Sequence, residues 1–222
     1  MITLSAAPRQ AVVLPRGVET DGSATPETRL AAEASVGYYH LVAPYYAQFG
    51  LAPVMVYPGG RSFVAGDANP EYHDGEAMAK IALAGVPEQG LEGIPEEHIR
   101  LPKRSSDTMT NLLTAYEDIN PREPLAIIAL RDQLPRGLLL GHKVLGDNAR
   151  LVPYEAQAER NRKAEGVEFF MRLLERAAYA GVEPGDHLNL QLRTERKQQF
   201  LMSRAVFRKA LGAAAPRPDG YK

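Results

Sequence analysis

The chain has 222 residues, 45% of them hydrophobic and 24% charged, which suits one generous core and argues against a largely disordered chain. Its 26 lysines and arginines balance 27 acidic residues, so no global field draws it to nucleic acid or an anionic membrane, and any anion site must be local. The absence of cysteine excludes disulfides, thiolate metal sites and a cysteine nucleophile, and no window approaches the ~18 apolar residues of a spanning helix. A cytoplasmic protein is expected.

AVVL, Ala11 to Leu14, is an unbroken apolar run that ends in Pro15-Arg16-Gly17, as in a strand buried on both faces. A helix is predicted after Thr25-Pro26. Thr25 suits its N-cap, Pro26 and Glu27 its first turn, and Leu30, Ala34, Gly37 and Leu41 recur at helical spacing up to a kink or end at Pro44. PVMVY (Pro53 to Tyr57) predicts a second strand and Gly75 to Val86 a second helix, with Met78, Ile81 and Gly85 on one side. His98 to Leu101 reads as a short third strand. Asp107 to Ile119 reads as a helix with Leu112, Leu113, Tyr116 and Ile119 turned inward. LAIIAL (Leu125 to Leu130) is the central strand, Pro135 to Gly146 the next helix, and Ala149 to Tyr154 the fifth strand. Gly166 to Gly181 carries Val167, Phe170, Met171, Leu174 and Ala178 at helical spacing. Arg193 to Leu211 predicts a last helix that packs Phe200, Val206 and Phe207 on the sheet, before a frayed tail.

Strand-then-helix alternation predicts a single α/β domain, a Rossmann-like three-layer sandwich with a mainly parallel sheet of five strands and extra C-terminal helices. In such sheets ligands lie outside the carboxyl ends of the strands, where strand order reverses. The segments just after each strand are therefore the candidate site: LPRGVETDG, PGGRS, KRSSDTMTN, RDQLPR and YEAQAER. Four of these carry an arginine near the strand end. Arg16, Arg61, Arg131 and Arg136 converging on an anion is one reading; separate solvent-facing or salt-bridged side chains is the other. Asp107 suits the N-cap of the helix that starts at Thr108, and Ser105, Ser106, Thr108 and Asn111 add hydrogen-bonding groups around free backbone N–H groups.

These segments, in this order, resemble the YdcF/SanA/ElyC-like bacterial domain, whose biochemical function is largely unassigned. AVVLPRGVETDG resembles its opening strand and glycine-rich turn, and TPETRLAAEA its helix with a recurrent arginine, here Arg29. VYPGGRS is similar to the Ser-Gly-Gly strand end, and GEAMAKIALAGVP to a Glu-Ala helix closed by Gly-Val-Pro. SSDTMTN resembles Ser-x-Asn-Thr-x-Glu-Asn, and DQLPRG resembles Tyr-His-x-x-Arg-Ala. The resemblance spans Ala11 to about Tyr154. It implies a polar pocket lined by Arg16, Gly17, Arg29, Gly59, Gly60, Arg61, Glu76, Ser105, Thr108, Asn111, Gln133 and Arg136, with Glu76 and Asp107 as catalytic candidates. It also implies ligands of nucleotide type, S-adenosylmethionine included. Three departures bear on this. Pro15-Arg16 replaces Gly-Gly and removes a backbone donor, which the Arg16 fork is placed to replace. Gln133 stands for histidine and Thr110 for glutamate, and neither titrates near neutral pH, which favours binding over chemistry.

The first functional expectation is a small-molecule binder or transferase that holds a nucleotide-type or S-adenosylmethionine-like anionic ligand at the strand ends. The chain lacks GxGxxG and GxxxxGK[ST], so no dinucleotide fingerprint or P-loop is available. The alternative is a hydrolase of a phosphorylated or envelope-derived substrate using Asp21, Glu76, Asp107 or Asp132 with the arginines. No GxSxG elbow or HExxH is present, and His40, His73, His98, His142 and His187 show no ligand-like clustering, so no metal site is expected. An interaction scaffold, forming a homo-oligomer through the last helix, is the third reading.

Overall fold

The computed structural model describes residues 7–19, 21–59, 73–102, 105, 107–158 and 162–203, the side chains of Lys163 and Met202 excepted. Among them, β1 (Gln10–Val13), β2 (Val54–Val56), β3 (Ile99–Arg100), β4 (Leu125–Leu130) and β5 (Leu151–Ala156) form one sheet in the order β3-β2-β1-β4-β5, every pair parallel. Six helices accompany it: α1 (Pro26–Ala47), α2 (Asp74–Ala84), α3 (Thr108–Ala115), α4 (Leu134–Leu145), α5 (Arg162–Ala178) and α6 (His187–Ser203).

Side chains alternate across the pleat, so each inner strand feeds both cores. Ala11, Val13, Ala126, Ile128 and Leu130 join α1 and α2 on one face. Val12, Leu14, Leu125, Ile127 and Ala129 join α3, α4 and the C-terminal helices on the other. This is why β4 is buried along its whole length, as its continuous apolar run predicts. The sheet's rims differ: β3 is two residues long, and β5 is mostly half-exposed or exposed and carries Pro153. The layering is that of a Rossmann-like sandwich, with the strand order reversing between β1 and β4.

Capping decides where helices start. Thr25 Oγ1 accepts from the Thr28 amide at α1, and at α3 Asp107 and Thr110 form a reciprocal capping box. Gly146 ends α4 with φ at +93°. Pro44 neither ends α1 nor stands outside it, since the helix runs on to Ala47; the ring removes the one bond that residue 44 would have made to the His40 carbonyl, and the helix continues past it. Gly137 and Gly141 bring α4 close to the sheet: a Cβ at either would lie 2.7 Å from Leu14 Cδ1 or Leu151 Cδ1.

The C-terminal helices depart most from expectation. α6 begins at His187, and its buried side is Leu190, Thr194, Lys197 and Leu201, while Phe200 is 44% exposed. Val206 and Phe207 lie outside the described residues. On α5 the buried side holds Glu168 and Glu175, and Val167, Phe169, Phe170 and Leu173 face outward. The apolar spacing is helical as expected, and Met171, Leu174 and Ala178 are half-buried where the helix packs on α4 and α6, but its deepest side chains are the two glutamates. No helix among the described residues is long and apolar enough to cross a membrane.

Candidate functional site

The crevice at the β1–β4 reversal is built from the two loops that leave those strands. Leu14 makes the last rung with the Ile128 carbonyl (2.9 Å), and Pro15 then supplies no N–H. The Arg16 amide donates to Thr28 Oγ1 (2.8 Å), and Thr28 Oγ1 donates to the Gly17 carbonyl (2.7 Å). Gly17 adopts φ +100°, which lets the loop fold back on the start of α1. Gln133 Nε2 donates to the Pro15 carbonyl (3.1 Å), so the two loops are bridged. The backbone here is engaged with the protein's own hydroxyls and is no open cradle for phosphate.

The arginines are engaged as well. Arg16 Nη1 lies 2.7 Å from Asp132 Oδ2, and its Nη2 lies 3.5 Å from Glu168 Oε1. Arg136 donates to both oxygens of Glu168, from Nε at 2.6 Å and Nη2 at 3.0 Å, and its Nη1 is 3.9 Å from Glu175. Lys197 Nζ sits 3.0 Å from Glu175 Oε1 and 2.8 Å from Asp107 Oδ2; the Asp107 contact is an ion pair outside hydrogen-bond alignment. The result is a string of alternating charge, Asp132–Arg16–Glu168–Arg136–Glu175–Lys197–Asp107, that joins the β1 and β4 loops to α3, α4, α5 and α6. Burial alone would raise Asp107, yet Lys197 and the Thr110 amide hold its carboxyl below the usual range. For Glu175 burial outweighs Lys197 and pushes the carboxyl up. Lys197 loses to burial but gains more from its two carboxylates, and its ammonium is held above its ordinary value.

The other half of the edge is different. Gly59, just past β2, donates to the Pro102 carbonyl past β3 (3.5 Å) and packs against the first turn of α2. A Cβ on Gly59 would lie 2.4 Å from the Gly75 amide nitrogen and 2.8 Å from Asp74 Cβ. Gly59→Ala must therefore push α2 off the end of β2; we expect a loss of about 1–3 kcal/mol, read as a lower urea midpoint at unchanged m-value.

Several buried polar atoms in the strand-end loops lack partners. Asp74 is 7% exposed and its Oδ1 accepts nothing; Ser105, also 7% exposed, leaves Oγ unpaired. His73 Nδ1, at the N-cap of α2, and Gln133 Oε1 are in the same condition. Burial with no compensating donor raises the Asp74 carboxyl to about 7. Thr108 and Asn111 are buried on the first turn of α3, and Glu76 is half-buried on the first turn of α2.

Of the residues expected from sequence, Gly59, Glu76, Ser105, Thr108 and Asn111 thus stand at the starts of α2 and α3, and Arg16, Gly17, Gln133 and Arg136 at the β1–β4 reversal. Arg29 and Arg131 are exposed, the former on α1. Gly60, Arg61 and Ser106 lie outside the described residues. Asp107 caps α3 and binds Lys197, which gives it a structural task. Sequence reasoning missed Asp74, which is two residues from Glu76 and has no motif of its own. It also missed Glu168, Glu175 and Lys197. The spacing of Glu168, Arg172 and Glu175 at i, i+4 and i+7 was the available signal, since it puts three charges on one side of α5.

Comparison of the chain with family models, curated proteins and solved structures returns no match.

Proposed function

We propose that the chain is a small-molecule binding protein, of binder or transferase type, that holds a nucleoside-like ligand over the carboxyl ends of β2 and β3 against Gly59, Asp74 and Ser105. One observation carries this reading: Asp74 Oδ1, packed against Gly59 at the start of α2, and Ser105 Oγ, two residues before the N-cap of α3, are both buried without partners. An unsatisfied buried polar group costs about 1–3 kcal/mol, and such groups in a strand-end crevice are natural contacts for a ligand. An acid at the floor of the site selects hydrogen-bond donors, such as ribose hydroxyls or an amine, and in its ionised form a cation such as a sulfonium. S-adenosylmethionine carries all three, which keeps it in the proposal. Polyphosphates fit poorly, because Arg16 and Arg136 already face carboxylates.

The order of these loops is also what supports membership of the YdcF/SanA/ElyC-like family, and we carry that assignment, with a cytoplasmic location, as part of the same reading. A thermal-shift panel of S-adenosylmethionine, adenosine, ATP and a sugar phosphate tests it. A ligand at a hundredfold excess over Kd adds about 2.7 kcal/mol of stability. Stabilisation by S-adenosylmethionine or adenosine, weakened in Asp74→Asn, is the expected result; a flat response to both rejects the reading. Hydrolysis is the second reading, because a carboxyl that titrates near neutral pH suits a general acid or base. It requires turnover of a generic ester that Asp74→Asn abolishes.

A further inference from the structure

Where strand order reverses, a doubly wound sheet usually receives the charged part of its ligand. In this chain that place is taken by a side chain. Glu168 reaches in from α5, is 5% exposed, and is gripped by both Nε and Nη2 of Arg136 (2.6 and 3.0 Å), with Arg16 Nη2 at 3.5 Å. Two guanidinium groups around one planar anion is the arrangement by which proteins bind phosphate and carboxylate ligands. We propose that Arg16 and Arg136 form an anion site at the β1–β4 crevice which the chain fills with its own Glu168, and that this carboxylate bars ligands that carry a phosphate or carboxylate at that position.

The surrounding charges support exclusion. Asp132 and Glu175 also face the two arginines, so the crevice is already neutral or acidic before any ligand arrives. An anion from solution must displace a carboxylate that α5 holds in place at high effective concentration. Glu168 is thereby a specificity residue, acting by occupying the site rather than by touching the ligand. The inference stands apart from the reading at β2 and β3, since it concerns other residues and is tested with another probe.

The test follows the thermal midpoint against inorganic phosphate, with ionic strength held constant by chloride. Wild type is expected to respond equally to both ions. Glu168→Ala is expected to start lower and to recover with a saturable, phosphate-specific rise, with about tenfold tighter apparent affinity for phosphate than for chloride. Adding Arg16→Met to Glu168→Ala should remove that rise. If Glu168→Ala folds in neither ion, Glu168→Gln, which keeps the length and loses the charge, is read by the same criterion. Equal recovery in both ions, or a phosphate-specific rise in wild type as large as in the variant, overturns the proposal.

Discussion

Asp74→Asn is expected to stabilise the protein at pH 8 while weakening its ligand. The carboxyl has an ordinary value of 3.8 and is raised to about 7 in the folded state by burial. Between these values the unfolded chain is ionised and the folded one still holds its proton, so the folded state binds more protons and stability falls as pH rises. The loss is absent below about pH 4 and complete above about pH 7. Three pKa units correspond to roughly 4 kcal/mol at most, and relaxation of the site brings the expected gain for Asn to about 2–4 kcal/mol at pH 8. Urea unfolding of both proteins from pH 4 to pH 8 checks this: the two curves should start together and separate with pH. Parallel curves would show that Asp74 is ionised throughout. If the side chain also contacts the ligand, the variant gains stability and loses about tenfold or more in affinity, the trade-off expected where a buried group is kept for binding.

The second large effect is at Lys197, whose loss leaves Glu175 and Asp107 buried without their shared cation. Breaking a buried pair from one side costs about 3–5 kcal/mol, a large part of a typical total of about 5–15 kcal/mol. Lys197→Met should therefore show a strongly reduced urea midpoint at neutral pH. Its deficit should shrink in acid, because the two stranded carboxylates then take up protons. Lys197→Met/Glu175→Gln should recover part of the loss, since it removes one of the two carboxylates that Lys197 neutralises, the other contact of Glu175 being the longer one to Arg136; an additive double variant would mean that the contact contributes nothing.

The fold was legible because its signals are local. LAIIAL is apolar at every position, as a strand covered on both faces must be, and Thr25 and Asp107 mark helix starts by short-range capping. The site was legible only in outline. That Ser105, Thr108 and Asn111 gather at the start of α3 follows from one helix boundary, but what faces Arg16 and Arg136 is set by α5, more than thirty residues downstream of either. No spacing rule links Arg136 to Glu168. The apolar stripe of α5 drew attention away from its charges: of Val167, Phe170, Met171, Leu174 and Ala178, the first two are exposed and the other three half-buried, while Glu168 and Glu175 lie deepest. Asp74 escaped for a different reason: its burial depends on how closely Gly59 lets α2 approach β2.

The shape of the sheet's two rims also limits how copies of the chain associate. A two-residue strand on one side and a proline-bearing, side-chain-decorated strand on the other offer little free ladder for a neighbour to zip onto, which guards against fibril-like stacking. Among the described residues the outer helices are the more natural surface for self-assembly, and the exposed Phe169, Phe170 and Leu173 of α5 offer neighbouring oil-like area for such a contact.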